Sequence, residues 1–424
     1  MIYSTFDNRR KITDIGSLSR IANTPISLLQ ESKELIVVTG NLNGIKDNYV
    51  FSYSEHDKSL STGNVMGFIG FGDDELKIRS RFDEGQGDYL LHYMLMRVCC
   101  PNIVNLNHST NNDSAFDLLM FLFPKMLSEA MKQGLFKEYK RFQHNDSKVR
   151  GTIDVNRHIR NNIPFAGAVA YNTREFSYDN NITQLIRHTI EYIKAKPLGY
   201  GILEHVTAEI RMIMDNTPTY TIQNRRKVIN ENQRPLHHPY FTKYTMLQKL
   251  CLQILRYDGL KYGMDKNKVH GILFDGAWLW EEYVAAVIMD KYDHYTKDNS
   301  HFYLFKNNVQ RIIPDYISKD ETIVADAKYI PLDENGLSQN EERACAIYYK
   351  TVMYMMRWNC HCGLLFYPSK ESSSPEVLII NNCNNDCVKK VPLLIPQLSN
   401  SLPEFISAIK YNEENQFKFL IPSI

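Results

Sequence analysis

RIIPDYISKDETIVADAKYI, residues Arg311 to Ile330, contains two apolar runs, Ile312 to Ile317 and Thr322 to Ile330, flanking a polar segment from Ser318 to Glu321. That is the signature of a β-hairpin with a short loop. On the second strand Ile323, Ala325 and Ala327 alternate with Val324, Asp326 and Lys328, so a period of two puts Asp326 and Lys328 side by side on one face. Asp315 lies on the preceding strand. Carboxylates from adjacent strands can hold a hard divalent cation through oxygen, while a lysine two residues on faces a phosphate or an attacking water. Taken alone, the hairpin also fits an exposed strand with a solvated Asp/Lys pair. The flanking sequence favours the first reading.

The chain has 424 residues, 43% hydrophobic and 12% aromatic, enough for two or three domains with real cores. Its opening, MIYSTFDNRRKITDIG, has no apolar signal core, and no run approaches the ~18 apolar residues of a spanning helix. The expectation is a cytoplasmic protein. Eight cysteines are too sparse for a disulfide framework. Cys360, Cys362, Cys383 and Cys387 form C-x-C and C-x3-C pairs, which read as free thiols rather than a zinc site because neither has the common C-x2-C spacing. Lys and Arg total 49 against 48 Asp and Glu, a net charge of +1. A protein that grips DNA alone usually carries a basic excess, so near-neutrality leaves room for a partner that supplies grip and sequence reading.

Three textures follow one another. Residues 1 to 134 read as a β-rich N-terminal domain with helices: Glu34 to Thr39, Tyr49 to Tyr53, Val65 to Phe71 and Leu76 to Arg81 are strand-like. Lys77, Arg79 and Arg81 alternate as a solvated strand face. Gly87 to Cys100 and Asp117 to Gln133 are helical, the second with a kink or break near Phe123 because of Pro124. Residues 135 to 265 read as a helical middle region, with Lys148, Arg150, Arg157, His158 and Arg160 clustered around the turn Arg150-Gly151-Thr152. Arg150 there is a candidate phosphate contact, although a solvated charged surface explains the cluster equally well. Tyr178 to Ile193 is a core-facing helix capped by Asp179 or Asn180, Gln223 to Pro239 a polar loop, and Tyr244 to Tyr257 another helix.

Residues 266 to 424 hold the hairpin. Ala277 to Asp290 is helical and apolar on nearly every side, with Glu281 as an anomaly on a stripe with Ala277, Trp278, Ala285 and Ile288. A buried unpaired carboxylate is expensive, so Glu281 needs a metal ion or Lys328 as partner, or must snorkel past Trp278 to solvent. Asp333 to Arg343 reads as a loop, and Ala344 to Trp358 as a helix with Lys350, Tyr354 and Arg357 on one polar stripe. That stripe is a narrow solvent face or a phosphate-backbone contact. Gly363 to Pro368 and Val377 to Asn381 complete an α/β sandwich.

With Pro314-Asp315 and Asp326-Ala327-Lys328 in place, the segment resembles the PD-(D/E)xK nuclease core. From about residue 60 to 370 the chain resembles the McrC family, nuclease subunits of McrBC-type modification-dependent restriction systems. The likeness is carried by Arg150-Gly151-Thr152-Ile153-Asp154, by Asp179-Asn180 before a helix, by Phe274-Asp275 with Leu279-Trp280-Glu281, and by the nuclease core. It implies Asp315 and Asp326 as ligands of Mg²⁺, one ion or two, Glu281 as a third acidic ligand and Lys328 as the catalytic lysine. Related nucleases follow the core with Q-x-x-x-Y, whereas here Lys350 replaces the glutamine and Tyr354 matches. A lysine keeps a donor and loses the acceptor.

The resemblance further implies a weak endonuclease driven by a McrB-like AAA+ GTPase hexamer, docked through residues 1 to about 100, acting on modified double-stranded DNA. The chain has no G-x-x-x-x-G-K-[ST] loop, so no nucleotide is expected to bind it and it is not that motor. The alternatives are a stand-alone repair or recombination nuclease, and a catalytically inactive adaptor of an AAA+ NTPase. The expected fold is mixed α/β and α+β and multidomain, ending in the nuclease sandwich.

Overall fold

Strand-forming residues early in the chain do fold as strands, but they share their sheet with a segment from far downstream. The computed structural model describes residues 1–29, 34–38, 49–85, 87–100, 114–196, 199–263, 269–296, 300–332, 341–372, 374–381 and 386–417. β1 (Ile2–Phe6), β2 (Arg10–Ile12), β3 (Glu34–Val38), β4 (Phe51–Ser54), β5 (Ser59–Thr62), β6 (Val65–Phe71) and β7 (Asp74–Arg79) lie in the N-terminal part. β2, β5 and β4 make a small antiparallel sheet in that order. The larger sheet runs β1-β7-β6-β11-β3, and β11 is Val269–Asp275.

β11 runs antiparallel to β6 and parallel to β3. Two glycines permit the β6–β11 approach: Gly67 has φ +123° and Gly271 φ +138°, and an added Cβ would meet Ile272 O and Phe68 O respectively, each at 2.2 Å. Leu35, Val37, Ile69, Leu76, Ile78 and Leu273 fill the core beneath.

This strand corrects the expected boundaries at 134 and 265. One compact unit comprises Met1–Phe121 together with Gly263–Ile424, and the other Leu122–Tyr262. The physical reason is that Ile272, Leu273 and Phe274 are fully buried in the N-terminal sheet, so the C-terminal third cannot be cut away from it.

Within the first unit, the cationic face of β7 is not solvated as expected. Arg79 donates to the carbonyls of Asp83, Gly85 and Gly87, and Arg81 pairs with buried Asp7 at 2.5 Å while donating to the carbonyl of Tyr329. The helix Tyr89–Cys99 matches its expected span closely. The helix Ser114–Met131 continues through Pro124 without ending. Burial of Leu118 to Phe123 and of Leu127 holds it against the ~3 kcal/mol that an interior proline costs.

The second unit is less helical than its composition suggests. β8 (Glu138–Asp146), β9 (Thr152–Ile153) and β10 (Val169–Ser177) form an antiparallel sheet in the order β8-β10-β9. The helix Asn181–Lys194 begins at Asn180, whose side chain and that of Thr183 form a capping box. The predicted loop from Gln223 contains the helix Arg225–Glu231, which buries only Val228 and so leaves almost no apolar period to read. The helix Lys243–Gly263 closes the unit.

The remaining strands are β12 (Tyr292–His294), β13 (Tyr316–Ser318), β14 (Ile323–Ala327), β15 (Cys362–Ser369), β16 (Glu376–Ile379) and β17 (Cys387–Leu394), in the order β12-β13-β14-β15-β17-β16. β13 and β14 are the expected hairpin, and β14, β15 and β17 run parallel. β17 is an addition to the sequence reading, and it separates β16 from β15. The helices Gly276–Ile288 and Glu341–Trp358 pack on this sheet, and Leu402–Asn412 follows it. The second of these starts inside the stretch read as a loop, of which residues 333–340 lie outside the described residues. Cys362 and Cys387 face each other across β15 and β17 as free thiols, and Cys383 lies outside the described residues. No helix among the described residues is long and apolar enough to cross a membrane.

Candidate active site

The alternation read in residues 323–328 places Asp326 on β14, between β13 and β15, with no solvent exposure. Asp315 stands one residue before β13. Its carbonyl accepts from Tyr295 N at 2.9 Å and its Oδ2 from Ala327 N at 2.8 Å, which ties it to the strand bearing Asp326. The two carboxyls lie close enough for the charge of each to act on the other.

Their environments push them apart. Burial, and then the charge of Asp326, raises Asp315 far above the usual carboxylate range. Burial would raise Asp326 as well, but the ammonium groups of Lys328 and Lys350 outweigh it and hold this carboxyl low. Lys328, whose burial would lower it, is instead raised by Asp326 and Asp315.

Neither oxygen of Asp326 has a well-aligned hydrogen bond, although Lys328 Nζ is in contact with Oδ2 and Lys350 Nζ lies 3.9 Å from it. A buried carboxylate in that condition suits a cation, and Mg²⁺ commonly takes only one or two protein carboxylates and completes its shell with water. Asp315 and Asp326 thus fit the implied ion. Among the described residues no three His, Cys, Asp or Glu are grouped to hold a metal, so Glu281 stands apart from the pair.

Glu281 has a partner that was not among those considered. The helix that carries it starts at Asp275, whose Oδ1 accepts from Ala277 N at 2.9 Å, and Glu281 Oε1 meets His294 Nε2 at 3.0 Å. Its carbonyl accepts the Tyr316 hydroxyl at 2.5 Å. Its charge still acts on Asp315 and Lys328. Nothing in the sequence marks His294, which sits on a three-residue strand and meets Glu281 only through the tertiary fold.

The stripe Lys350, Tyr354, Arg357 separates into different environments. Lys350 is half exposed beside Asp326, while Tyr354 is buried and donates to Ile313 O at 2.6 Å, so it forms no part of a solvent face. Arg357 Nε donates to Tyr303 O at 2.8 Å. Lys350 and Tyr354 also border an open groove of about 420 Å³, walled by Leu304, Arg311, Ile312 and Met353.

Arg150 belongs to the other unit, where it is exposed and bonded to Tyr171. Its neighbours are structural. Arg157 donates to His144 O at 3.0 Å and Tyr171 O at 2.6 Å, and Asp154 caps the helix Val155–Asn161. Gly151 cannot be replaced without strain, because a Cβ there would lie 2.1 Å from Asn172 O.

Comparison with known proteins bears on the resemblance seen in the sequence. Residues 60–368 match the family described as McrBC 5-methylcytosine restriction system component. No curated protein matches the chain. One similar solved structure is a refined half-complex from a tetradecameric assembly of Thermococcus gammatolerans McrB AAA+ hexamers with bound McrC: 14% identity, 97% of this chain, 99% of that chain, TM-score 0.47. Another is the cryo-EM structure of the Thermococcus gammatolerans McrBC complex, at 12% identity, 83% of this chain, 99% of that chain and TM-score 0.32. The family match spans most of the chain and ends on the strand β15 beside Asp326, so the chain belongs to the family of McrBC 5-methylcytosine restriction system components.

Proposed function

We propose that this chain is the Mg²⁺-dependent DNA endonuclease subunit of a McrBC-like, modification-dependent restriction complex, of the PD-(D/E)xK type. The observation that carries the reading is Asp326: a fully buried carboxylate without an aligned hydrogen bond, paired with Asp315 and touched by Lys328. Asp315 and Asp326 would hold the ion, which when bound supplies a more acidic water and a Lewis acid for the phosphate. Lys328 stabilises negative charge developing on the phosphoryl oxygens. Glu281, fixed by His294, adds a little to the negative potential with which Asp326 and Asp315 raise Lys328. Lys350 is the cation at the solvent side of the site, beside the groove walled by Arg311 and Met353. Tyr354 and Arg357 brace the helix and the loop that carry these groups.

The partner in this reading is an AAA+ hexamer that hydrolyses GTP, of the kind described with bound McrC in the Thermococcus assemblies. Near-neutral charge agrees with recruitment to DNA by something else. The test is cleavage of methylated and unmethylated duplex in Mg²⁺ by the full-length chain, with and without a McrB-like AAA+ protein and GTP. Cutting that requires methylation, partner and GTP supports the reading. Efficient cutting of either duplex by this chain alone points to a stand-alone nuclease, and no cutting under any condition to an adaptor.

A further inference from the structure

Two ammonium groups converge on one oxygen of one buried carboxylate. Lys328 Nζ touches Asp326 Oδ2 and Lys350 Nζ lies 3.9 Å from the same atom. On the other carboxyl, Asp315 Oδ2 accepts the Ala327 N–H at 2.8 Å. Asp326 Oδ1, buried without a hydrogen-bond partner, is therefore an oxygen left for an ion.

Lys350 is held where it is by Tyr354. Its Nζ lies 5.2 Å from the centre of the Tyr354 ring, and the Tyr354 hydroxyl is anchored on Ile313 O at 2.6 Å, two residues before Asp315. The cation thus rests on an aromatic platform, on the helix Glu341–Trp358, that is tied to the segment carrying Asp315. It enters from the solvent side, with 52% of its side chain exposed, while Asp326 has none.

We propose that the site takes a single divalent cation, between Asp315 and Asp326, and that the Lys350 ammonium occupies the place and supplies the charge of a second one; this rests on the nuclease reading above. The charges argue for it. With Asp315 ionised, as it would be when it holds an ion, three carboxylates, Asp315, Asp326 and Glu281, face two ammonium groups, Lys328 and Lys350, leaving one net negative charge. One dication overshoots that by a single charge and a second by three, in a pocket where excess charge is poorly solvated. An ammonium also offers only donors, so it cannot join the coordination shell of an ion. Glutamine, which related nucleases carry at this position, is neutral and offers an acceptor oxygen.

The experiment counts ions on the full-length protein with Mn²⁺ as probe, by electron paramagnetic resonance of free Mn²⁺ and by calorimetry, with and without a duplex. Wild type should bind one Asp326-dependent Mn²⁺, Lys350→Gln two, and Lys350→Arg one, because arginine keeps the charge. Asp326→Asn should bind none at the site, and circular dichroism checks that each variant is folded. Two Asp326-dependent ions in wild type, or one in Lys350→Gln, overturns the single-ion inference and leaves the nuclease reading standing. Absence of any Asp326-dependent Mn²⁺ in wild type overturns both.

Discussion

Asp326 is buried without an aligned hydrogen bond, a condition that packing alone does not favour. Asp326→Asn should abolish cleavage, since a neutral amide binds Mg²⁺ far less well, while thermal unfolding stays within a few degrees of wild type. Mg²⁺-dependent cutting by this variant at the wild-type rate would remove β14 from the chemistry. A second residue sets a pH dependence. His188 is buried against Tyr220 with its Nε2 unpartnered, and burial, then Arg225 and Arg187, lowers it from 6.5 to about 4. The folded state then binds fewer protons than the unfolded one between these values, so its contribution is complete above pH 6.5 and is lost as pH falls towards 4. Hydrogen exchange of the helix Asn181–Lys194 should accelerate over that range, and His188→Gln should flatten the profile. At this scale Asp315, Asp326 and Lys328 were legible because strand alternation fixes which side chains share a face. His294 and the burial of Tyr354 were not, because both follow from loops returning to the sheet rather than from any local period.

Among the elements, β11 and the residues that follow the helix Leu402–Asn412 each tie distant parts of the first unit together. Gly271→Ala puts a Cβ against Phe68 O at a backbone angle that disfavours it, and should lower stability by about 1–3 kcal/mol in urea unfolding. An unchanged midpoint would mean that β6 and β11 are not in close register. Glu413 accepts hydrogen bonds from Tyr93 at 2.7 Å and Tyr283 at 2.5 Å, and pairs with Arg97 at 3.3 Å. Removing it in Glu413→Ala strands a largely buried guanidinium, so a loss of about 3–5 kcal/mol is expected by calorimetry. Elements with strong periods, such as β6 and the helices Tyr89–Cys99 and Asn181–Lys194, were readable from their sequences. The helix Arg225–Glu231 and the arginines of β7 were not. The first buries only Val228, and the second find carbonyls and Asp7 that only the assembled fold brings near.

At the scale of the whole molecule, the division of the chain changes what can be dissected. A fragment beginning near residue 135 holds every residue of the proposed active site, yet it leaves β11 without β6 and β3 and exposes Ile272, Leu273 and Phe274. It should be insoluble or unfold without cooperativity, and a sharp melting transition from it would show that the C-terminal third is independent. No local pattern announced this, because β11 reads from its sequence as the start of the segment that follows it. The same strand also sets a timetable during synthesis. β6 leaves the ribosome roughly 200 residues before β11, which at about 5–20 residues per second is ~10–40 s. Throughout that interval the edge of β6 that β11 fills is open to wrong partners. The β8–β10 pair and the helix Asn181–Lys194 are made wholly within it, so the second unit can finish while the first still waits for β11.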